Sequence, residues 1–295
     1  MGMTERVSMT DSIDGSETTG VKLAGATMRG QEPSPKERPT QVPITRAEKT
    51  CWMMNDAMDP AHMVTMVAEA DASAMTLLRE RAKAVGERPP SFTALVIKAA
   101  AMTMQRHPQA NRVILGFPCF KRLYQFHNQD ISVAVEKDLP ALPGQAFAAP
   151  IKNALNKSLA DITRELRDLA TCDEQTNQSY RLFMRILKYV PRPLSVWLIN
   201  RPYRSPSLWQ RHRGCACWVN APSRSGADLV MTTWPWPITF SFGLVRKRPF
   251  VVGDRLEIRS TMPVVMVFDR RIMGGGPAGR IFADFKEILE AFAAV

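Results

Sequence analysis

Pro263-Val264-Val265-Met266-Val267-Phe268-Asp269-Arg270-Arg271-Ile272-Met273-Gly274-Gly275-Gly276-Pro277-Ala278-Gly279-Arg280 runs a β-branched apolar segment into an aspartate, two arginines and three consecutive glycines. A helical pattern follows over residues 281–294. The run reads as a buried strand, a tight turn and a helix start. Such a junction suits a binding or catalytic site. The strand holds its side chains rigidly, and the helix N-terminus presents unpaired backbone N–H groups.

Working outward, residues 62–71 alternate like a strand, and Ser73 opens a helix carrying Met75, Leu77, Leu78 and Ala82 at helical spacing. Residues 86–90 break the chain. Residues 91–106 form a helix apolar on most faces, so it is expected to be buried, and His107-Pro108 stops it. Residues 130–135 and 147–152 are predicted to be paired central strands. Ser158 caps a helix with Leu159, Ile162, Leu166 and Leu169 on one face. Residues 180–190 make a basic amphipathic helix stopped by Pro191 and Pro193, and residues 194–200 are a further apolar piece. Residues 215–220 and 238–244 read as strands, residues 245–252 with Gly253-Asp254 as a hairpin. A strand from about Ile258 leads into the opening run. Strands alternating with helices predict a two-layer α/β fold.

The chain has 295 residues, enough for a full core, and 45% of them are apolar. No apolar run is long enough to span a bilayer, and the first residues lack the apolar core of a signal peptide. The five cysteines are an odd, scattered set. Cys215-X-Cys217 is expected to share one face of a strand, and two ligands are too few for a structural zinc, so no metal is expected. A reduced, cytoplasmic protein is the expectation. Residues 1–41 read as a disordered polar tail and residues 42–295 as one domain, with a basic helical insert at about 173–214. The formal net charge is +11, and no Asp or Glu falls between Glu174 and Asp228. Such a block attracts an acidic partner or is simply a solvated face.

The opening run resembles the closing motif of the chloramphenicol acetyltransferase-like fold. It comes nearest to the catalytic domain of the 2-oxoacid dehydrogenase acyltransferases, where the motif reads Asp-His-Arg-X-X-Asp-Gly. Asp269, Arg271 and Gly275 match it, Arg270 stands at the catalytic His, and Gly274 stands at the second Asp. The resemblance covers nearly everything from Pro43. Residues 46–58 resemble the family's short first helix, and His107-Pro108-Gln109-Ala110-Asn111 its Pro-X-X-Asn turn. Residues 130–135 resemble its Val-Ala-Val strand, and Pro150-Ile151-Lys152 the end of its partner strand. It implies a mixed sheet packed with helices, and a homotrimer or higher multiple of trimers with active residues meeting across the interface. It also implies a coenzyme A thioester substrate. The tail is too short for a lipoyl domain, so no covalently attached arm is expected.

In that family the His takes the acceptor's proton, and a hydroxyl from another strand donates to the oxyanion. Arg270 cannot act as the base, because a guanidinium stays protonated and only donates hydrogen bonds. It can hold a carboxylate or phosphate, with Arg271 and the amides of Gly274, Gly275 and Gly276 completing an anion nest. Alternatively, Arg270 forms a salt bridge to Asp269. The family's oxyanion Ser lies in sequences such as Val-Ser-Ala-Asn-Pro or Thr-Ile-Ser-Asn-Leu-Gly. The match taken here, Trp218-Val219-Asn220-Ala221-Pro222, puts Asn220 at that Ser. Asp269 and His127 are the candidate replacement bases. His127 approaches the central strand, whereas His107 is explained by helix capping and His212 by solvation.

Three functions are consistent with these residues. One is a trimeric scaffold without standard catalysis, or the partner of an intact homologue. Another is an active acyltransferase of changed mechanism, using Asn220 as oxyanion donor and Arg270 to hold an anionic substrate. The last is a binder of an anionic membrane or an acidic carrier protein through the basic insert. Nucleic acid is not expected, because no recognised binding motif accompanies the charge.

Overall fold

The computed structural model describes residues 62–117, 120–139, 142–221 and 228–292. The expected polar tail and the expected first helix over residues 46–58 lie outside them. In chain order the elements are β1 (Met63–Asp71), α1 (Ser73–Ala84), α2 (Phe92–Arg106), β2 (Arg112–Leu115), β3 (Arg122–Gln125), β4 (Ile131–Leu139), β5 (Leu142–Ile151), α3 (Leu159–Thr171), α4 (Gln178–Tyr189), α5 (Arg192–Asn200), α6 (Pro206–Arg213), β6 (Cys217–Asn220), β7 (Ile238–Phe242), β8 (Arg246–Val252), β9 (Arg255–Asp269) and α7 (Gly275–Glu290).

The opening run is the C-terminal half of β9, an interior strand of a seven-stranded mixed sheet in the order β1-β9-β7-β6-β4-β5, with β8 paired to β9. Side chains on a strand alternate between faces, so one face takes Met262, Val264, Met266 and Phe268 of β9 with Ile238, Phe240 and Phe242 of β7. The helices α2 and α7 share this core, and Phe240 stacks on Phe285 with ring centroids 4.0 Å apart. Buried residues ring α2, as its sequence predicts, and Ser91 caps it by accepting a hydrogen bond from the Ala94 N–H (3.1 Å). Such a cap contributes about 1 kcal/mol.

The opposite face carries a smaller aromatic core of Trp209, Trp218 and Trp236 with Val113, Leu115 and Phe126. The short hairpin β2–β3, which the sequence reading did not anticipate, supplies Val113 and Leu115. Asn111 ties this hairpin down. Its Nδ2 donates to the carbonyls of Phe126 (3.0 Å) and Asn128 (2.8 Å), and its Oδ1 accepts from the Ala216 N–H (3.1 Å). Those three bonds are a physical reason for the Asn of the Pro-X-X-Asn turn. The Lys of Pro150-Ile151-Lys152 has one as well, since Lys152 Nζ pairs with the buried Asp130 carboxylate at 3.0 Å.

Several boundaries differ from expectation. The strands β4 and β5 do pair antiparallel, but β5 is at the sheet edge rather than its centre. β9 begins at Arg255, and the last helix ends at Glu290. The Cys215–Cys217 pair does not share a face. Gly214 takes a left-handed φ of 68°, and the strand starts only at Cys217. Cys215 therefore joins the aromatic core and Cys217 the main one. Burial pushes both thiols up, Cys215 to about 12, so neither is a ready thiolate. The basic helix α4 is capped by Asn177 and buries its apolar stripe of Tyr180, Met184 and Leu187 in its own domain. Tyr180 meets Phe147 edge-on at 5.1 Å. Among the described residues no helix is long and apolar enough to cross a membrane.

Candidate active site

The end of β9 sits against β1, with Met63 opposite Asp269. One step further, the Arg270 N–H donates to the His62 carbonyl (2.9 Å), and the Ile272 N–H donates to the Asp269 carbonyl (3.1 Å) to close the turn. Asp269 is only 5% exposed. Its carboxylate is held by Arg271 rather than by Arg270. The Arg271 backbone N–H donates to Oδ1 (2.9 Å), Nε lies 3.0 Å from Oδ1, and Nη2 lies 2.7 Å from Oδ2. Residues two apart on a strand share a face, and the chain keeps that geometry into the turn. Arg270 is exposed and makes no ion pair with the described residues, so the salt bridge to Asp269 expected for it belongs to its neighbour.

Gly274 is the N-cap of α7, with no side-chain cap and no acidic residue in the first turn. Among the described residues, a Cβ added at Gly274 or Gly275 would meet nothing within 4 Å, and at Gly276 only the Arg280 guanidinium at 4.0 Å. Packing therefore does not require glycine at any of the three. They leave an open helix N-terminus beside Arg270 and Arg271.

Asn220 and His127 are not brought to this turn. Asn220 ends β6 at the other end of the sheet, opposite Ser241, which is itself opposite Val265. Five residues of strand separate Val265 from Arg270, roughly 16 Å. The Asn220 amide donates to Thr232 Oγ1 (3.3 Å). His127 is exposed and lies before β4, three strands from β9, or about 14 Å.

The sequence reading passed over Ser241. Thr239-Phe240-Ser241 fits the Thr-Ile-Ser of the family's second oxyanion pattern, on β7 and so one strand nearer the motif than Asn220. Ser241 is 1% exposed and Thr239 and Trp218 are fully buried, and among the described residues Ser241 Oγ, Thr239 Oγ1 and Trp218 Nε1 have no hydrogen-bond partner. Unpaired buried polar groups are uncommon and costly, which makes this face of β6 and β7 a place to look for a function. Two residues on, Gly243 has no room for a side chain, because an added Cβ would fall 1.8 Å from the Asp228 carbonyl oxygen.

At the Asp269–Arg271 end lies a cavity of about 410 Å³. Tyr203, Trp234 and Trp236 wall it, and Lys121, Arg204 and Arg271 are at its edge. Behind the wall the Arg213 guanidinium lies over the rings of Tyr203 (5.2 Å), Trp236 (5.3 Å) and Trp209 (5.7 Å) and donates to the Ile199 carbonyl (3.2 Å). Burial pulls the Arg213 pKa down and pushes that of the Tyr203 phenol up, with Arg213 opposing the latter shift. Among the described residues no group of His, Cys, Asp or Glu could hold a metal ion.

Comparison with known proteins places this geometry. The catalytic-domain model of the 2-oxoacid dehydrogenase acyltransferases matches residues 36–180 and 239–295. The acetyltransferase component of the pyruvate dehydrogenase complex of Acholeplasma laidlawii is 22% identical over 256 residues, covering 84% of this chain and 40% of that protein. The chain thus spans about two fifths of the length of the curated relatives it matches. The dihydrolipoamide acetyltransferase of Azotobacter vinelandii shares its fold, with a TM-score of 0.65 at 17% identity, over 88% of this chain and 95% of that one. That enzyme's structure was determined to probe a serine, a histidine and an asparagine in its catalytic mechanism. A probable dihydrolipoamide acetyltransferase of Listeria monocytogenes gives a TM-score of 0.60 at 20% identity, over 86% and 96% of the two chains. The two matched segments cover more than half of the chain and take in both the motif turn and the Ser241 strand. This chain belongs to the 2-oxoacid dehydrogenase acyltransferase family, through its catalytic domain.

Proposed function

We propose that this chain is an acyltransferase-family scaffold without base-catalysed acyl transfer, working as a trimer and as a companion of a homologue that keeps its histidine. The observation that carries the reading is Arg270. It stands at the His of Asp-His-Arg-X-X-Asp-Gly as an exposed guanidinium, which has no lone pair with which to take a proton. General-base catalysis contributes about a hundred- to ten-thousand-fold in rate, and that contribution is lost here. The trimer is supported by distance. Ser241 and Arg270 are held roughly 16 Å apart by the register of β7 and β9, so a site using both ends must draw them from two copies.

The test is coenzyme A release from acetyl-CoA by the purified full chain, with dihydrolipoamide, benzyl alcohol and butylamine as acceptors. The wild type stays at the uncatalysed rate. Arg270→His combined with Gly274→Asp gains about a hundredfold or more with the thiol. A wild-type rate well above background that Ser241→Ala removes would overturn the reading.

One observation favours a second reading, an active enzyme of changed mechanism. The carbonyl of His62 accepts the Arg270 N–H, which puts an imidazole-bearing residue next to the vacated base position. Ser241 meanwhile keeps an uncommitted hydroxyl for an oxyanion. In that case His62→Ala and Ser241→Ala each abolish turnover, while Arg270→Ala raises the Michaelis constant for an anionic substrate.

A further inference from the structure

The cavity beside Asp269 and Arg271 takes its aromatic wall from residues outside the family match. Asn200, Tyr203, Arg204, Trp234 and Trp236 all fall between residues 181 and 238, which neither matched segment includes. Its chemistry is lopsided. Lys121 and Arg204 make no ion pair with the described residues, and the guanidinium of Arg204 lies over the rings of Phe117 (5.4 Å) and Trp197 (5.5 Å) instead of a carboxylate. Asp269, the one carboxylate that the described residues bring to the lining, is already bound by Arg271. Arg213, behind the Tyr203 and Trp236 wall, adds a fourth positive charge. Cations without counter-charges around a partly enclosed space raise the local concentration of anions.

The rest of the wall is flat and apolar. Trp234 stacks on Trp218 (4.6 Å) and donates its indole N–H to Thr232 Oγ1 (2.9 Å), which fixes the ring that faces the cavity. A volume of about 410 Å³ is within the range of small-molecule sites. We propose that this cavity binds a small planar aromatic carboxylate, its carboxylate held between Lys121 and Arg204 and its ring lying against Trp234 and Trp236. A guanidinium fork and an ammonium both favour a carboxylate, and indole rings favour a planar body over an aliphatic one.

Isothermal titration calorimetry on the full chain tests this at low salt, with 2-naphthoate, its neutral analogue 2-naphthamide, and inorganic phosphate as probes. The expected result is saturable binding of 2-naphthoate, with 2-naphthamide and phosphate each at least about tenfold weaker. Lys121→Ala combined with Arg204→Ala, both at exposed positions, then weakens 2-naphthoate at least about tenfold. A thermal melt shows that this variant is folded. Trp234→Phe, which keeps a ring, retains more of the affinity than Trp234→Leu. The proposal is overturned if 2-naphthoate gives no saturable heat or if the amide binds equally well. Phosphate displacing the naphthoate at equal concentration, or the double variant binding like wild type, overturns it too. The measurement needs no turnover, so a failure of this site is distinguishable from a failure of the acyl-transfer reading.

Discussion

Asp269, Arg270 and Arg271 lie side by side, yet the structure gives the two arginines opposite work, and replacing each by alanine separates them. The Asp269 carboxylate is nearly buried and accepts three charge-assisted hydrogen bonds from Arg271, besides the bond from its backbone N–H. Breaking a fully buried ion pair costs about 3–5 kcal/mol. Arg271 is 45% exposed, so its guanidinium can rehydrate, and solvent screening lowers the expected cost of Asp269→Ala to about 2–3 kcal/mol. For a domain of this size that is a loss of roughly 5–10 °C in melting temperature. Arg270→Ala removes an exposed side chain with no ion pair to the described residues and is expected to change stability by less than about 0.5 kcal/mol. Urea unfolding at a fixed protomer concentration is the assay, because association would otherwise move the midpoint. A double-mutant cycle on Asp269→Ala and Arg271→Ala should give a coupling of about 1 kcal/mol. An Asp269→Ala variant as silent as Arg270→Ala, or a cycle with no coupling, would refute the assignment of Asp269 as the structural anchor of the turn.

Two further outcomes follow from residues away from the motif. Asn111→Ala strips two buried backbone groups, and a third that is partly buried, of their partners and is expected to cost about 2–4 kcal/mol in chemical denaturation; a loss under about 1 kcal/mol would contradict its role as the hairpin anchor. For Asp71, burial alone would raise the pKa, but hydrogen bonds from Ser73 and the charge of Arg259 outweigh it and hold the carboxyl below its ordinary value. A depressed folded pKa means that the stabilisation is complete above the unfolded value and is lost as pH falls through the folded one. Melting temperatures of wild type and Asp71→Asn should therefore differ at neutral pH and converge below about pH 4. A gap that is constant with pH would show that Asp71 acts by shape and not by charge.

The sheet and its helices were legible because they obey two periods. In the run 263–268 every second residue, Val264, Met266 and Phe268, enters the main core, and Ser91 and Ser158 mark helix starts that the structure keeps. The site was legible only in part. The adjacent Asp269-Arg270-Arg271 shows no partner preference as a string, but strand alternation carried two residues past the end of β9 would have selected Arg271. Val-Asn-Ala-Pro imitates a strand end and so points to Asn220, whereas Thr239-Phe240-Ser241 hides its polar positions in a run buried on both faces. That alternation, Thr and Ser between Ile, Phe and Phe, was the available signal. The β2–β3 hairpin is only four residues a side, too short for its period to register. The cavity could not be read at all. Its walls come from separate stretches, near residues 63, 113–121, 200–204, 233–237 and 269–271, and only folding makes them neighbours.

Gly243 has a bearing on how this sequence can change over time. The Asp228 carbonyl occupies the space where any other residue would carry its Cβ, two positions from the Ser241 hydroxyl. A chain crossing held that closely tolerates no substitution without moving the 228 segment off the sheet. Gly274 and Gly275 face open space and tolerate many. In a saturation library sorted only for folded protein, position 243 will retain a single letter while 274 and 275 diversify. The glycines that look most like a functional signature in the sequence are therefore the ones free to drift. The solitary glycine that draws no notice is the one fixed by sterics.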